Sequence, residues 1–198
     1  MTKKWQMLDR KPVHEGFYTV HLCHFEHSLF QGGKTGPVER ELLERGNVAA
    51  VLPYDPSDDS VVLVEQFRIG AMNQDDPWLT EVIAGMVEKG ESPEEMVRRE
   101  AMEEAGLDVN ELIPISHYLS SPGSSTEEVF LYAAITDLSS AGGYHGLEEE
   151  NEDIRVIKLG AEEAIKLFDT GVIKNALSVI AMHWFKANLQ ELRSGKKA

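Results

Sequence analysis

The stretch from Gly85 to Leu107, GMVEKGESPEEMVRREAMEEAGL, constrains the fold of this chain more than any other. It opens as a loop carrying Gly85 and Gly90 and then starts a helix. Ser92 is placed as the N-cap, and Pro93 takes the first helical position, where its missing N–H costs nothing. Glu95, three residues after Ser92, completes the pattern of a capping box. The helix is expected to run to about Ala105 and to stop at Gly106. Glu100, Glu103 and Glu104 then share one sector of it. Carboxylates so placed repel unless something positive sits among them. An all-oxygen acidic set suits a hard divalent cation, Mg²⁺ above all when a substrate brings phosphate oxygens. Arg99 is placed to reach back to Glu91 and brace the loop against the helix. A charge run of this kind is ordinarily a solvated face; the spacing of the whole stretch is what argues otherwise.

The charge balance points the same way. With 34 acids against 19 bases the net charge is −15, which disfavours a broad basic surface for nucleic acid. The acids are clustered: five of the six residues Glu148–Asp153 are acidic. An acidic protein that handles a phosphate substrate needs a cation to bridge the like charges. No apolar run reaches about 18 residues, so no membrane span is expected. The N-terminal MTKKWQMLDRK has no apolar core, so no signal peptide is expected. The single cysteine, Cys23, rules out an internal disulfide, fits a reducing cytoplasm and reads as a buried strand residue.

The first 45 residues or so read as strands, with a strand expected over Gly16–Leu22. His21 and His24 would face opposite sides of it, which argues against a metal site there. Asn47–Tyr54 reads as a buried strand and Asp55–Asp59 as a hairpin turn leading into Ser60–Arg68. Trp78–Ala84 reads as one strand running into the glycine loop. Beyond the helix, strands are expected over Glu111–Tyr118, Val129–Ile135 and Ile154–Leu159, and helices over Ala161–Asp169 and Asn175–Leu192. Leu138–Asn151 reads as a long loop.

Gly85, five residues, Glu91, seven residues, Arg99-Glu100, then Glu103-Glu104, Gly106 and the aliphatic Leu107 together resemble the Nudix box. Ala101 departs mildly, standing where that family favours a bulky aliphatic. The resemblance implies an α/β fold, an α/β/α sandwich with a mixed sheet, plus an N-terminal β-strand subdomain. It implies domains over 1–46 and 47–198 and divalent-metal hydrolysis of a nucleoside diphosphate linked to another group. Pro122, sixteen residues after Gly106, and segments such as Glu65-Gln66-Phe67-Arg68 and Glu152-Asp153-Ile154-Arg155 are similar to the bacterial ADP-ribose pyrophosphatase subgroup. Ser124 departs, where that subgroup often has a second glycine.

Carried over by that resemblance, Ala84 (through its carbonyl), Glu100, Glu104 and Glu152 are the metal ligands, with Glu103 a further one on the same helical face. Glu150 is the general base, and Glu100 and Glu104 complete the catalytic set; residues alone leave the choice between Glu150 and Glu152 open. Phe17 and Tyr18 flank adenine. Arg40, Glu41, Arg45, Arg68, Met86, Ser121, Pro122, Gly123 and Glu127 make the remaining substrate contacts. The metal is Mg²⁺, with Mn²⁺ as a substitute, and the expected reaction releases AMP and ribose 5-phosphate from ADP-ribose. The resemblance also implies a homodimer with exchanged N-terminal strands, in which Phe17, Tyr18, Arg40, Glu41 and the 121–123 loop act on the other protomer's site. No nucleic acid or membrane partner is expected. The alternatives are a Nudix hydrolase of another nucleoside diphosphate sugar such as GDP-mannose, and a non-catalytic nucleotide-binding module. The latter usually lacks a box glutamate, and here all three are present.

Overall fold

A computed structural model describes residues 2–195. It divides into two compact units, one of residues up to Asn47 together with Tyr118–Glu128, the other of Val48–His117 with Val129 onward.

The first unit is built on an antiparallel sheet of β1 (Trp5–Glu15), β2 (Thr19–His27) and β3 (Val38–Glu44), in that order. Every residue of β1 is exposed, whereas Cys23 on β2 is buried, as expected of it. The strand expected from Gly16 begins later. The Gly16 N–H donates to the Tyr18 carbonyl (3.1 Å), which bends the chain, so Phe17 and Tyr18 project from the β1–β2 turn. The 118–128 segment lies along β3: the Leu43 N–H donates to the Ser124 carbonyl (2.8 Å) and Thr126 donates back to Leu43 (3.1 Å).

The second unit carries the larger sheet. β4 (Val48–Asp55) and β5 (Ser60–Phe67) flank the Asp55–Asp59 turn but pair only at their turn end, Tyr54 with Val61 and Asp55 with Ser60. Beyond that they part. β6 (Trp78–Glu81) lines β5 over Val64–Phe67, and β7 (Ile83–Met86) lines β4 over Val48–Val51. The single strand expected over Trp78–Ala84 is therefore two. The break falls at Val82, whose N–H is taken by the Ser178 hydroxyl (2.9 Å). After the helix α1 (Pro93–Ala105) come β8 (Glu111–Leu119), β9 (Glu128–Ile135), β10 (Gly143–His145) and β11 (Ile154–Gly160), then α2 (Ala161–Asp169) and α3 (Ala176–Arg193). The sheet order is β10-β11-β5-β4-β9-β8, with β4 and β9 parallel and the other described pairings antiparallel, so the sheet is mixed. The expected 138–151 loop contains β10, which pairs with β11, and a one-turn 3-10 helix at Glu148–Glu150.

Strand periodicity places the layers. Ala49, Val51, Val62, Val64 and Ile83 pack with Met96, Val97, Ala101 and Ala105 of α1. Tyr54 contacts the other layer, edge-to-face on Phe185 of α3 (5.3 Å, 64°). A sheet covered on both faces is the α/β/α sandwich expected. Each valine or leucine buried in it contributes about 1.5–3 kcal/mol. α1 starts and stops as its sequence dictates. The Ser92 hydroxyl accepts from the Glu95 N–H (3.2 Å), the Glu95 carboxylate accepts from the Ser92 N–H (2.8 Å), and Gly106 closes the helix at φ 64°. No helix among the described residues is long and apolar enough to cross a membrane.

The β4–β5 turn is tied to the end of α3. Arg193 donates through Nε (2.9 Å) and Nη2 (2.6 Å) to the Asp59 carboxylate, which also accepts from the Tyr54 hydroxyl (2.9 Å). Arg193 holds the Asp59 carboxyl below its usual range, while burial and then Asp59 push Tyr54 up to about 12. A lowered carboxyl pKa contributes stability that is present above the unfolded value of 3.8 and lost as pH falls through the folded one. Asp59 sits at φ 55°, which asparagine tolerates, so Asp59→Asn removes the charge and one acceptor without straining the backbone. Asp59→Asn is expected to lower the thermal midpoint at pH 7, and its gap to the wild type should shrink in melts run below pH 4.

Candidate active site

The site is built where α1 crosses β7. Gly85 faces Glu100 so closely that a Cβ there would lie 1.9 Å from Glu100 Oε1. One turn on, Glu104 is only 2% exposed. Its carboxylate accepts from the Ala84 N–H (3.3 Å) and from Gln66 Nε2 (3.4 Å), both long bonds for a buried charge. Burial, and then the charge of Glu100, push Glu104 up to about 8. Burial also raises Glu100, against the pull of Arg99. Glu152 adds a third negative charge that both of them feel. Its loop is closed by the Leu147 N–H on Glu152 Oε2 (3.4 Å) and by Gly146, at φ 104°, whose Cβ would lie 2.8 Å from that of Glu152.

Arg99 holds the loop before α1, as its position predicts. Its Nε and Nη2 donate to Glu91 (3.0 and 3.1 Å), Nη1 donates to Glu100 (2.9 Å) and Glu103 (3.0 Å), and Nη2 also donates to the Met86 carbonyl (3.4 Å). Arg99 in turn holds Glu91 below the usual carboxylate range. Glu103 is therefore turned to Arg99, and Met86 contributes a carbonyl to the same guanidinium.

The donor set suits a hard divalent cation. The oxygens of Glu100, Glu104 and Glu152 and the Ala84 carbonyl are all hard ligands, and among the described residues the buried Glu104 carboxylate has two hydrogen bonds, both long. Among the described residues no three His, Cys, Asp or Glu side chains converge closely enough to coordinate an ion as they stand. Glu150 ends the 3-10 turn Glu148–Glu150, and its side chain lies outside the described residues.

Arg68 follows β5, and its Nε donates to Glu81 Oε2 (2.8 Å) at the end of β6. The other Glu81 oxygen accepts from Asn175 Nδ2 (2.5 Å). Arg68 lies near enough to Glu104 to lower its pKa. From the sequence, Gln66 entered only as part of a resembling segment and Asn175 only as a helix start, and Glu81 was given no role. The signal available for Glu81 was an acid inside the apolar run WLTEVIA, where a charge without partners is costly.

The expected adenine contacts Phe17 and Tyr18, and all the remaining expected substrate contacts but Arg68 and Met86, lie in the first unit. Phe17, 85% exposed, stands edge-on to Tyr18 (4.8 Å, 73°), and the Arg45 guanidinium lies 5.3 Å over the Tyr18 ring. Arg45 Nε is 2.8 Å from the carboxylate of buried Glu127, at an angle too poor for a hydrogen bond, so the pair is ionic. The exposed Arg40 donates to the Glu39 carbonyl (2.7 Å), and Glu41 follows it on the opposite face of β3. Ser121, Pro122 and Gly123 form an exposed turn, its Ser121 carbonyl accepting from the N–H groups of Ser124 (3.0 Å) and Ser125 (2.9 Å).

A strand–loop–helix carrying Glu100, Glu103 and the buried Glu104 in this spacing is the arrangement of a Nudix hydrolase. The NUDIX domain model matches residues 44–174, and the chain belongs to that family. Among its relatives, the ADP-ribose pyrophosphatase of Escherichia coli (strain K12) is 44% identical over 190 residues, covering 96% of this chain and 91% of that protein. The ADP-ribose pyrophosphatase of Haemophilus influenzae is 44% identical over 196 residues, with 97% and 90% covered. The GDP-mannose pyrophosphatase of Shigella flexneri serotype 5b is 30% identical over 189 residues, with 94% and 97% covered. A crystal structure described as that of an ADP compounds hydrolase superposes with a TM-score of 0.72 over 96% of this chain and 97% of its own, at 20% identity, and so shares the fold.

The buried charge at Glu104 has a measurable consequence. Glu104→Gln should raise the thermal midpoint of chelator-treated protein at pH 8, because the amide fills the same space without a charge to desolvate. Added Mg²⁺ should raise the wild-type midpoint through linkage and leave that of the variant nearly unmoved, which differential scanning fluorimetry would read.

Proposed function

We propose that this enzyme hydrolyses the diphosphate of ADP-ribose to AMP and ribose 5-phosphate with Mg²⁺ at the α1–β7 site, Mn²⁺ serving as a substitute. The observation that carries the reading is the pair of carboxylates Glu100 and Glu104 packed against Ala84 and Gly85, the second of them buried, which suits a cation-assisted diphosphate site. Near full-length likeness at 44% identity to two ADP-ribose pyrophosphatases supports the substrate. Glu100, Glu104, Glu152 and the Ala84 carbonyl would hold the metal, and Glu103 would join them on leaving Arg99. A bound divalent cation would supply positive charge against the diphosphate and make an attacking water easier to deprotonate.

The chain's own residues then divide the work. Glu150, two residues before Glu152 on the acidic stretch, takes the proton from the water. Arg68 presents its guanidinium to a phosphate or carboxylate oxygen. Phe17 and Tyr18 flank the adenine, and Arg45 is held by Glu127 beside Tyr18. Arg40, Glu41, Met86 and the Ser121–Gly123 turn supply the remaining contacts. We assign the chain to the cytoplasm, in keeping with one unpaired, buried cysteine.

We also propose a homodimer formed through the N-terminal sheet, with Phe17, Tyr18, Arg40, Glu41 and the 121–123 turn serving the partner's site. Supporting it, β1 exposes Trp5 (71%), Met7, Leu8 and Val13 on an edge strand, a surface that asks for cover. Deleting residues 1–15 should convert a dimer to a monomer in analytical ultracentrifugation and abolish turnover. A wild type that sediments as a monomer would remove the dimer.

The reaction is tested by incubating the protein with ADP-ribose, with and without Mg²⁺, and identifying the products. Metal-dependent release of AMP and ribose 5-phosphate is expected. Glu150→Gln should lower kcat by roughly 100-fold or more with KM little changed. Faster turnover of GDP-mannose than of ADP-ribose would overturn the substrate and keep the reaction class. Binding of ADP-ribose with no hydrolysis would overturn the enzyme.

A further inference from the structure

Glu81 is 2% exposed, and an acid so buried is tolerated only when its oxygens are paired. Both are. Oε2 accepts from Arg68 Nε (2.8 Å) and Oε1 from Asn175 Nδ2 (2.5 Å). Asn175 is the N-cap of α3, and its Oδ1 accepts from the Ser178 N–H (2.9 Å). The fully buried Ser178 hydroxyl accepts in turn from the N–H of Val82, next to Glu81 (2.9 Å). The end of β6 and the first turn of α3 are thus stitched together around one carboxylate, which leaves Glu81 little freedom to turn.

Arg68 is held differently. Among the described residues its side chain bonds through Nε alone, so the Nη1 and Nη2 end of the guanidinium is free, and the side chain is 41% exposed. Gln66, two residues before Arg68 and so on the same face of the extended chain, donates to Glu104 (3.4 Å), which sets Arg68 on the side of the acidic pocket. A long side chain on the strand end β5 would otherwise wander among rotamers. One fixed by its Nε presents the remaining two nitrogens as a preformed fork for phosphate oxygens.

We propose that Glu81 is a positioning residue, which the Asn175 cap of α3 holds in place so that it aims the free end of Arg68 at the substrate's diphosphate. The inference rests on the diphosphate-hydrolase reading above. Glu81 does not touch the substrate, and its whole effect on turnover passes through Arg68.

The test is a double-mutant cycle on the full-length protein. Steady-state hydrolysis of ADP-ribose with Mg²⁺ is measured for wild type, Glu81→Ala, Arg68→Ala and the double variant, each with its thermal midpoint. Arg68→Ala should lower kcat/KM by roughly 100-fold and Glu81→Ala by roughly 10-fold, both mainly through a raised KM. The double variant should be no more than about twofold below Arg68→Ala, because the second removal has nothing left to disorder. Losses that multiply would overturn the proposal. So would a Glu81→Ala loss confined to kcat with KM unchanged and a depressed midpoint, the mark of a purely structural role. Should Glu81→Ala fail to fold, Glu81→Gln, which keeps an oxygen for Asn175, takes its place in the same cycle with the same two criteria. A wild type silent toward ADP-ribose overturns the functional reading and this inference together, whereas an active wild type with multiplicative losses overturns this inference alone.

Discussion

Everything at the site depends on holding two carboxylates of one helical turn against a strand with no room for a side chain. Glu100 occupies the space that a Cβ on Gly85 would fill, and Glu104 lies behind it, buried at the Ala84 N–H. That approach sets demands on the rest of the chain. α1 must start at a fixed residue, which the Ser92–Glu95 capping box ensures. The loop before it must be pinned, which Arg99 does through Glu91. β7 must run beside β4 while β5 turns away, so that the carboxylates meet backbone and Gln66 in place of another apolar row. The apolar contacts of α1 with the sheet offset the cost of the buried charge, as the strain of a functional site is ordinarily offset elsewhere in a fold.

The two arginines near this charge have opposite states. Every guanidinium nitrogen of Arg99 is spent on protein oxygens, so its task is structural: it gathers Glu91, Glu100 and Glu103 around one cation. Among the described residues the Arg68 side chain bonds through Nε alone. One guanidinium near the acidic residues is thus saturated by protein oxygens, and under the proposed reading the other is the one that receives a phosphate. In a chain of net charge −15, that division matters, since few local positive charges offset the repulsion a diphosphate meets on approach.

Local signals were legible in the sequence wherever a single rule dominated. The limits of α1 follow from one cap and one glycine, and α2 from its apolar period, and both fall where the sequence places them. The reach of Arg99 to Glu91 follows from helix geometry alone. Strand limits were less legible where tertiary partners decide them. Gly16–Tyr18 has the composition of a strand but bends, because the Gly16 N–H closes on Tyr18. The 138–151 stretch hides β10, which exists only because β11 lies beside it. Gln66 and Asn175 were illegible for the same reason. Their partners, Glu104 and Glu81, lie 38 and 94 residues away in sequence, and no local pattern announces such a bond.

The break at Val82 shows how one such bond reshapes a strand. In an uninterrupted strand over Trp78–Ala84, Glu81 and Ile83 would face the same side, since side chains alternate with period two. Ile83 packs with α1 in the apolar core, as does Val64, the partner of Glu81 across β5 and β6. Handing the Val82 N–H to Ser178 ends the ladder just after Glu81, whose carboxylate is satisfied by Arg68 and Asn175. The strand is split where splitting places an acid beside an arginine, and the hydrogen bond lost from the sheet is recovered at the first turn of α3. A run whose composition favours a continuous strand is thus divided at the residue next to a buried charge, and that charge is satisfied from β5 and α3 together.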